Sequence, residues 1–236
     1  GLIIESEGPE VCIGQICTIN SERHNESTEA QVVGFLENKV LLMPLESVHL
    51  IHPGCNVISK KNSNSVPFGN ALLGRVIDGM GRPIDGKGPL MSETRDGFYA
   101  EPPNPLKRKL ITEPFSTGIK SIDTFIPMGQ GQRIGIFSGS GVGKSVLLGM
   151  IGRGSEAEVN VISLVGERGR ELREFIENDL GPEGMAKSII VVSTVVAESL
   201  SLVVVRGTEP SGSNFSSSKV EDLVSRLTET RATTLS

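Results

Sequence analysis

In the first quarter of the chain, apolar residues come in short runs whose alternate positions are polar. Val11, Ile13, Cys17 and Ile19 share one parity of an extended segment. Residues 31–36 and 39–43 flank Glu37-Asn38, the spacing of a tight turn between two strands. Residues 47–51 read as a further strand, broken by Pro53-Gly54. Short strands at this spacing predict a small barrel or sandwich over residues 1–68. The polar run of residues 59–65 ends it.

Residues 69–108 follow a different pattern. Asp78-Gly79, Gly81-Arg82-Pro83, Asp85-Gly86 and Gly88-Pro89 are consecutive turn signals, and Pro102-Pro103-Asn104-Pro105 reads as an extended connector. From residue 109 the rhythm alternates strand with helix. Residues 132–137 and 159–165 read as strands, 144–153 as a helix, 169–180 as a helix and 188–192 as a strand. On the second helix Leu172, Phe175 and Ile176 share a face, and Gly181-Pro182 reads as its stop. Alternation of this kind predicts a parallel sheet with right-handed crossovers, hence an α+β chain of several domains.

Composition adds exclusions. A net charge of −5 gives no electrostatic reason for nucleic-acid binding. No stretch approaches the roughly 20 apolar residues that span a bilayer, and the start has no signal-peptide pattern. Cys12, Cys17 and Cys55 fit no zinc spacing and read as buried free thiols. His24, His49 and His52 have no metal-ligand spacing. The 28 glycines set against few aromatics point to places where backbone turns sharply or approaches a ligand.

One such place is Ser138-Gly139-Ser140-Gly141-Val142-Gly143-Lys144-Ser145, between a predicted strand and a predicted helix. Small residues there let backbone N–H groups converge on a phosphate, and the helix N-terminus adds its positive end. Lys144 reaches the β- and γ-phosphates of a nucleotide, and the Ser145 hydroxyl suits Mg²⁺. Ser138 stands where the strict motif has glycine. A glycine-rich turn without ligand is the competing reading. Glu167 and Arg168 follow the next predicted strand, at the edge where open α/β sheets bind ligands. A carboxylate there can orient an attacking water, and an arginine can stabilise the charge that develops. A solvated helix start fits the spacing equally well.

These residues, in this order, resemble the hexameric rotary-type ATPases, and within them the flagellar and type III secretion export ATPases. The resemblance is carried by residues 72–90, 131–137, the phosphate loop and Gly166 to Glu171, with residues 40–45 fitting the family's N-terminal barrel. It covers roughly residues 1–194. It implies a β-barrel, a RecA-like P-loop core binding ATP and Mg²⁺, and a homohexamer with nucleotide between subunits. It also implies export-apparatus and stalk partners, exported protein substrates, and a cytoplasmic place at the inner membrane without a membrane span of its own. By motif match, Lys144 and Ser145 take the phosphate and Mg²⁺ roles, Glu167 the catalytic glutamate's, Arg168 a place near the γ-phosphate and Glu171 the outer shell of Mg²⁺. Arg75, Asp78, Arg82 and Asp85 read as turn-fixing pairs.

Beyond Thr194 the family pattern is lost. The strand ending in a Walker B acid, the interface arginine and the C-terminal helical domain are not found in residues 195–236. Domains are therefore expected at 1–68 (barrel), 69–108 (connector), 109–194 (partial ATP-binding core) and 195–236 (divergent, disordered or frameshifted tail). Val220, Leu223, Val224 and Leu227 have helical spacing within that tail. The expected function is an ATP-hydrolysing subunit of protein export, in an incomplete copy with slow turnover. The alternatives are a catalytic subunit of a proton-translocating ATP synthase and a nucleotide-binding fragment without turnover. An RNA-dependent hexameric helicase would need a basic, aromatic face that residues 1–68 lack.

Overall fold

The computed structural model describes residues 2–21, 26–49, 51–60, 65–67, 69–91, 95–97, 104–107, 110–139, 141–166, 169–193 and 200–206. The chain divides into two compact units, one of Gly1–Ser65 with Gly97–Tyr99, the other of Val66–Asp96 with Ala100–Ser236.

The first unit is an antiparallel sheet of β1 (Ile4–Ser6), β2 (Ile16–Ser21), β3 (Glu26–Leu36), β4 (Lys39–Pro44) and β5 (Asn56–Ser59). The strand order is β1-β4-β3-β2-β5. Period-two alternation builds its core: Cys17 and Ile19, Ala30 and Val32, and Val40 and Leu42 turn one face inward. The predicted turn at Glu37-Asn38 joins β3 to β4, with Glu37 at φ 52°. Two strand expectations change. Ile13 shares parity with Cys17 but is exposed, because a turn at Cys12–Gln15, with Gly14 at φ 86°, breaks the extended run. Residues 47–49 and 51 form no strand. Ile51 N–H donates to the Val48 carbonyl in a turn, and β5 supplies the fifth strand instead.

Two short ribbons, β6 (Ser65–Pro67) with β8 (Arg95–Gly97) and β9 (Pro114–Phe115) with β10 (Met128–Gly129), stand apart from the main sheet of the second unit. Its main sheet contains β7 (Val76–Asp78), β11 (Val159–Val165), β12 (Ser188–Ser193) and β13 (Leu200–Arg206), in the order β13-β11-β12-β7. β11, β12 and β7 run parallel, and β13 lies antiparallel on β11. Helices α1 (Lys120–Phe125), α2 (Lys144–Gly154), α3 (Gly169–Glu174) and α4 (Gly181–Ala186) accompany it, with a π turn, Phe175–Leu180, between α3 and α4. Alternation sorts the strand residues to two faces. Val76, Ile162, Leu164, Ile190 and Val192 pack with Leu148, Phe175 and Leu180 under the helices. Ile77 and Ile189 face the other side with Leu72. Each fully buried aliphatic side chain contributes roughly 1.5–3 kcal/mol.

Three findings correct the sequence reading here. Residues 132–137 form no strand: Gly135 interrupts the run, and the Phe137 ring folds back over it, 2.5 Å from where a Cβ would stand. The free edge of β11 is taken by β13, a valine-rich run from the segment read as a tail. Val76–Asp78, from the segment read as a connector, supplies the parallel edge strand beside β12. Gly181, at φ 63° and ψ 176°, ends the helical run that began at Gly169, as the sequence predicts, and Pro182 in the first turn, where no N–H is needed, opens the separate α4.

Local pairs fix the turns around β7, as the spacing of Arg75, Asp78, Arg82 and Asp85 suggests. Arg75 donates to Asp85 through Nε (2.7 Å) and Nη2 (3.0 Å), and Arg82 Nε donates to Asp78 (2.7 Å). The Val76 and Lys87 N–H groups also donate to Asp85. Together, and led by the Arg75 bond, these hold its carboxyl well below the usual carboxylate range.

Candidate nucleotide site

α2 packs under the sheet so that its start reaches the carboxyl side of β11. Its Leu148 lies among Ile162 and Leu164, and its Gly152 carbonyl accepts a 2.8 Å bond from buried Asn160 at the start of β11. Asn160 Nδ2 also donates to Ser188 at the start of β12. The helix is thus tied down at its far end, and the end carrying the phosphate loop stays open.

Gly141 (φ 78°) and Gly143 (φ 95°) take left-handed backbone, which a side chain disfavours. Gly143 is the N-cap of α2 and supplies no side-chain cap. The first-turn N–H groups of α2, which have no intrahelical acceptor, therefore point outward with the positive end of an eleven-residue helix. A Cβ added at Gly139, Gly141 or Gly143 would meet nothing within 4 Å, so the cradle is open. Ser138, Gly139, Gly141, Val142, Gly143 and Ser145 are exposed, and Lys144 is half-buried. Orphan N–H groups, a lysine and a hydroxyl on one exposed loop and helix start fit a polyphosphate. Ser145 places an exposed hydroxyl on the first turn of α2. The described residues contain no group of three or more His, Cys, Asp or Glu side chains that could hold a metal by themselves.

Ser140, Glu167 and Arg168 lie outside the described residues. Glu171 is exposed in the first turn of α3, on the chain that leaves β11. The segment entering the loop is not clamped in the sheet as the motif's usual context requires. Ile136 reaches the core cluster, while Phe137 is 96% exposed.

Two supports escaped the sequence reading. Asp123 accepts from the Thr117 hydroxyl (2.6 Å) and N–H (2.9 Å), and also from Ser116 and Gly118. These bonds, the Thr117 hydroxyl first, lower its pKa below the ordinary carboxylate value. The loop they tie bears on the end of α2: the Gly154 carbonyl sits where a Gly118 Cβ would be, and Glu156 N–H donates to the Ser116 carbonyl. The second support is Gly149 and Gly152. The Asp179 carbonyl occupies the place of a Gly149 Cβ, and Leu180 Cδ1 would stand 2.8 Å from one at Gly152. Two glycines three apart on a predicted helix were the readable signal.

Comparison with known proteins bears on this arrangement directly. The model for the ATP synthase alpha/beta family β-barrel domain matches residues 1–61, and the model for that family's nucleotide-binding domain matches residues 118–207. The chain belongs to the ATP synthase alpha/beta family. Among its relatives, a flagellum-specific ATP synthase of Bacillus subtilis is 50% identical over 197 residues, covering 82% of this chain and 44% of the relative. A type 3 secretion system ATPase of Xanthomonas euvesicatoria is 42% identical over 194 residues, with the same shares of each chain covered. The assembled ATPase EscN from the type III secretion system of enteropathogenic E. coli superposes with a TM-score of 0.71 at 40% identity, over 82% of this chain and 46% of that one. The chain thus spans less than half the length of the relatives it matches. In this chain the match to the barrel domain precedes the match to the nucleotide-binding domain.

Proposed function

We propose that this chain carries the nucleotide-binding part of an ATPase that drives flagellar or type III protein export. The observation that carries this is the open, uncapped start of α2 behind Gly143, with Lys144 and Ser145 on its first turn. Lys144 neutralises the β- and γ-phosphates of ATP, and the backbone N–H groups of the loop, Ser138 to Gly143, orient them. Ser145 holds Mg²⁺, with Glu171 in its outer shell. The ion, when bound, draws charge from the phosphate oxygens. Glu167 orients the attacking water, and Arg168 stabilises the charge on the transferred group. The chemistry needs little more than this positioning.

Export is favoured over proton-driven ATP synthesis because the relatives are flagellum-specific and type III secretion ATPases. EscN is known as an assembled ATPase and in complex with its central stalk EscO. By analogy this chain works in a homohexameric ring on a stalk protein, at the cytoplasmic face of an export apparatus, on protein substrates. No helix among the described residues is long and apolar enough to cross a membrane.

A second reading, nucleotide binding without turnover, is favoured by residues 132–137 standing outside the sheet. Titration with a fluorescent ATP analogue, run beside a phosphate-release assay, separates the two. Saturable binding with release is expected for the export ATPase, and binding without release for the fragment. Lys144→Ala should weaken binding at least tenfold. Equal affinity in parent and variant overturns the assignment of the loop.

A further inference from the structure

The turn at Phe175–Leu180 is a π turn set between two α-helices. A π turn bonds residue i to i+5, and such turns recur at functional sites. The sequence explains this one. Phe175 and Leu180 are five apart, and both are buried in the same core cluster. In α geometry, at 3.6 residues per turn, five residues leave them about 140° out of phase. Five-residue closure brings them to one face.

The turn joins two elements. On one side its Asp179 carbonyl rests against Gly149 and its Leu180 against Gly152, both on the helix that leaves the phosphate loop. On the other it continues from α3, whose Arg173 Nε donates to Glu177 within the turn at 2.7 Å. Leu172 of α3 packs against the same cluster. Burial pushes the Asp179 carboxyl above its ordinary value, with Glu174 adding to the shift and Arg153 opposing it.

We infer that this π turn is a positioning element: its extra residue sets the rotational phase of α3 against α2, so that Glu171 follows the position of the phosphate loop. The inference rests on the nucleotide reading of that loop. If α2 moves when phosphates fill the cradle, the Asp179 carbonyl on Gly149 has no gap in which to lag, and the turn must carry α3 along. Without the extra residue, Leu180 or Leu172 leaves the core, and α3 rotates relative to the loop.

Deletion of Asn178, an exposed residue of the turn, removes the phase offset, while Asn178→Ala keeps the residue count. Amide hydrogen exchange is followed with and without Mg·ATP in the full chain. In the parent and in Asn178→Ala, Mg·ATP should slow exchange at residues 144–147 and, by roughly tenfold, at 169–174. In the deletion variant it should slow only 144–147. The same contrast is expected as a fall in kcat with little change in KM. If the deletion variant does not melt cooperatively, Gly149→Ala, which parts the turn from α2 without changing the count, takes its place with the same expected loss. An undiminished response at 169–174 in the shortened or parted variant overturns the inference alone, as does an equal loss in Asn178→Ala. No slowing at 144–147 in the parent overturns the nucleotide reading and the inference together.

Discussion

Asp85 shows how one side chain can hold a turn-rich segment in a single shape. Its side chain is 6% exposed, that of Arg75 12%, and their two-pronged bond is joined by two backbone N–H donors. Asp85→Asn would leave the Arg75 guanidinium under-compensated and should cost about 3 kcal/mol near neutral pH. Because its pKa is depressed in the fold, the carboxylate's contribution is complete above the unfolded value of about 3.9. It is lost as pH falls through the lower folded value. Melting curves of parent and variant should therefore differ at pH 7 and converge toward pH 2. A gap that stays constant over that range would show that charge is not the cause. The cysteines divide just as sharply. Cys12 is exposed, whereas Cys17 is fully buried and its thiol is pushed up by burial. A thiol reagent should label Cys12 in the native protein at least tenfold faster than Cys17, whose labelling should track unfolding. Equal rates would show that the β2 core is open.

At the scale of elements, close backbone approach decides more than side-chain chemistry. Gly149→Ala puts a methyl group into the Asp179 carbonyl, and overpacking of this kind costs roughly 1–3 kcal/mol. A lowered melting temperature is expected, and an unchanged one would show that α2 and the π turn have room to part. The helices and strands whose pattern was strongest, 144–153, 159–165 and 188–192, are where the sequence puts them, because each has one continuous apolar face to bury. Residues 132–137 and 200–206 exchanged roles for a physical reason. Apolar pattern marks a segment able to form a strand, and which segment reaches a given edge depends on competition for it. Three valines in a row on β13 stand against a run interrupted by Gly135. The π turn was illegible because a 3.6-residue period was assumed for the whole helix, and only the five-residue step from Phe175 to Leu180 departs from it.

For the whole molecule, the phosphate loop was readable because its chemistry is local: glycines, Lys144 and Ser145 act through eight consecutive residues. The supports of that loop were not, since Gly118 and Gly149 act against Gly154 and Asp179, distant in the chain, and Asp123 acts only by tying the turn that holds Gly118. The core of the first unit is a cluster separate from the two of the second, so a cavity in it should be felt there first. Leu42→Ala, at a fully buried position of β4, should destabilise the first unit by about 2–5 kcal/mol. Exchange of β2–β4 amides, measured segment by segment, should rise strongly. Unaltered exchange in those strands would mean that Leu42 is dispensable to that core.

The parallel pairing of β7 with β12 has a consequence for synthesis. Val76 pairs with Ile190, so more than a hundred residues must emerge before the strand finds its partner. At translation rates of about 5–20 residues per second, that wait is on the order of ten seconds. During it the Arg75–Asp85 and Asp78–Arg82 pairs, the Ile84 N–H donated to the Val76 carbonyl and the Ile77–Pro83 bridge can already form. The nascent strand folds back on its own neighbour, and its edge is occupied while the ribosome finishes the rest.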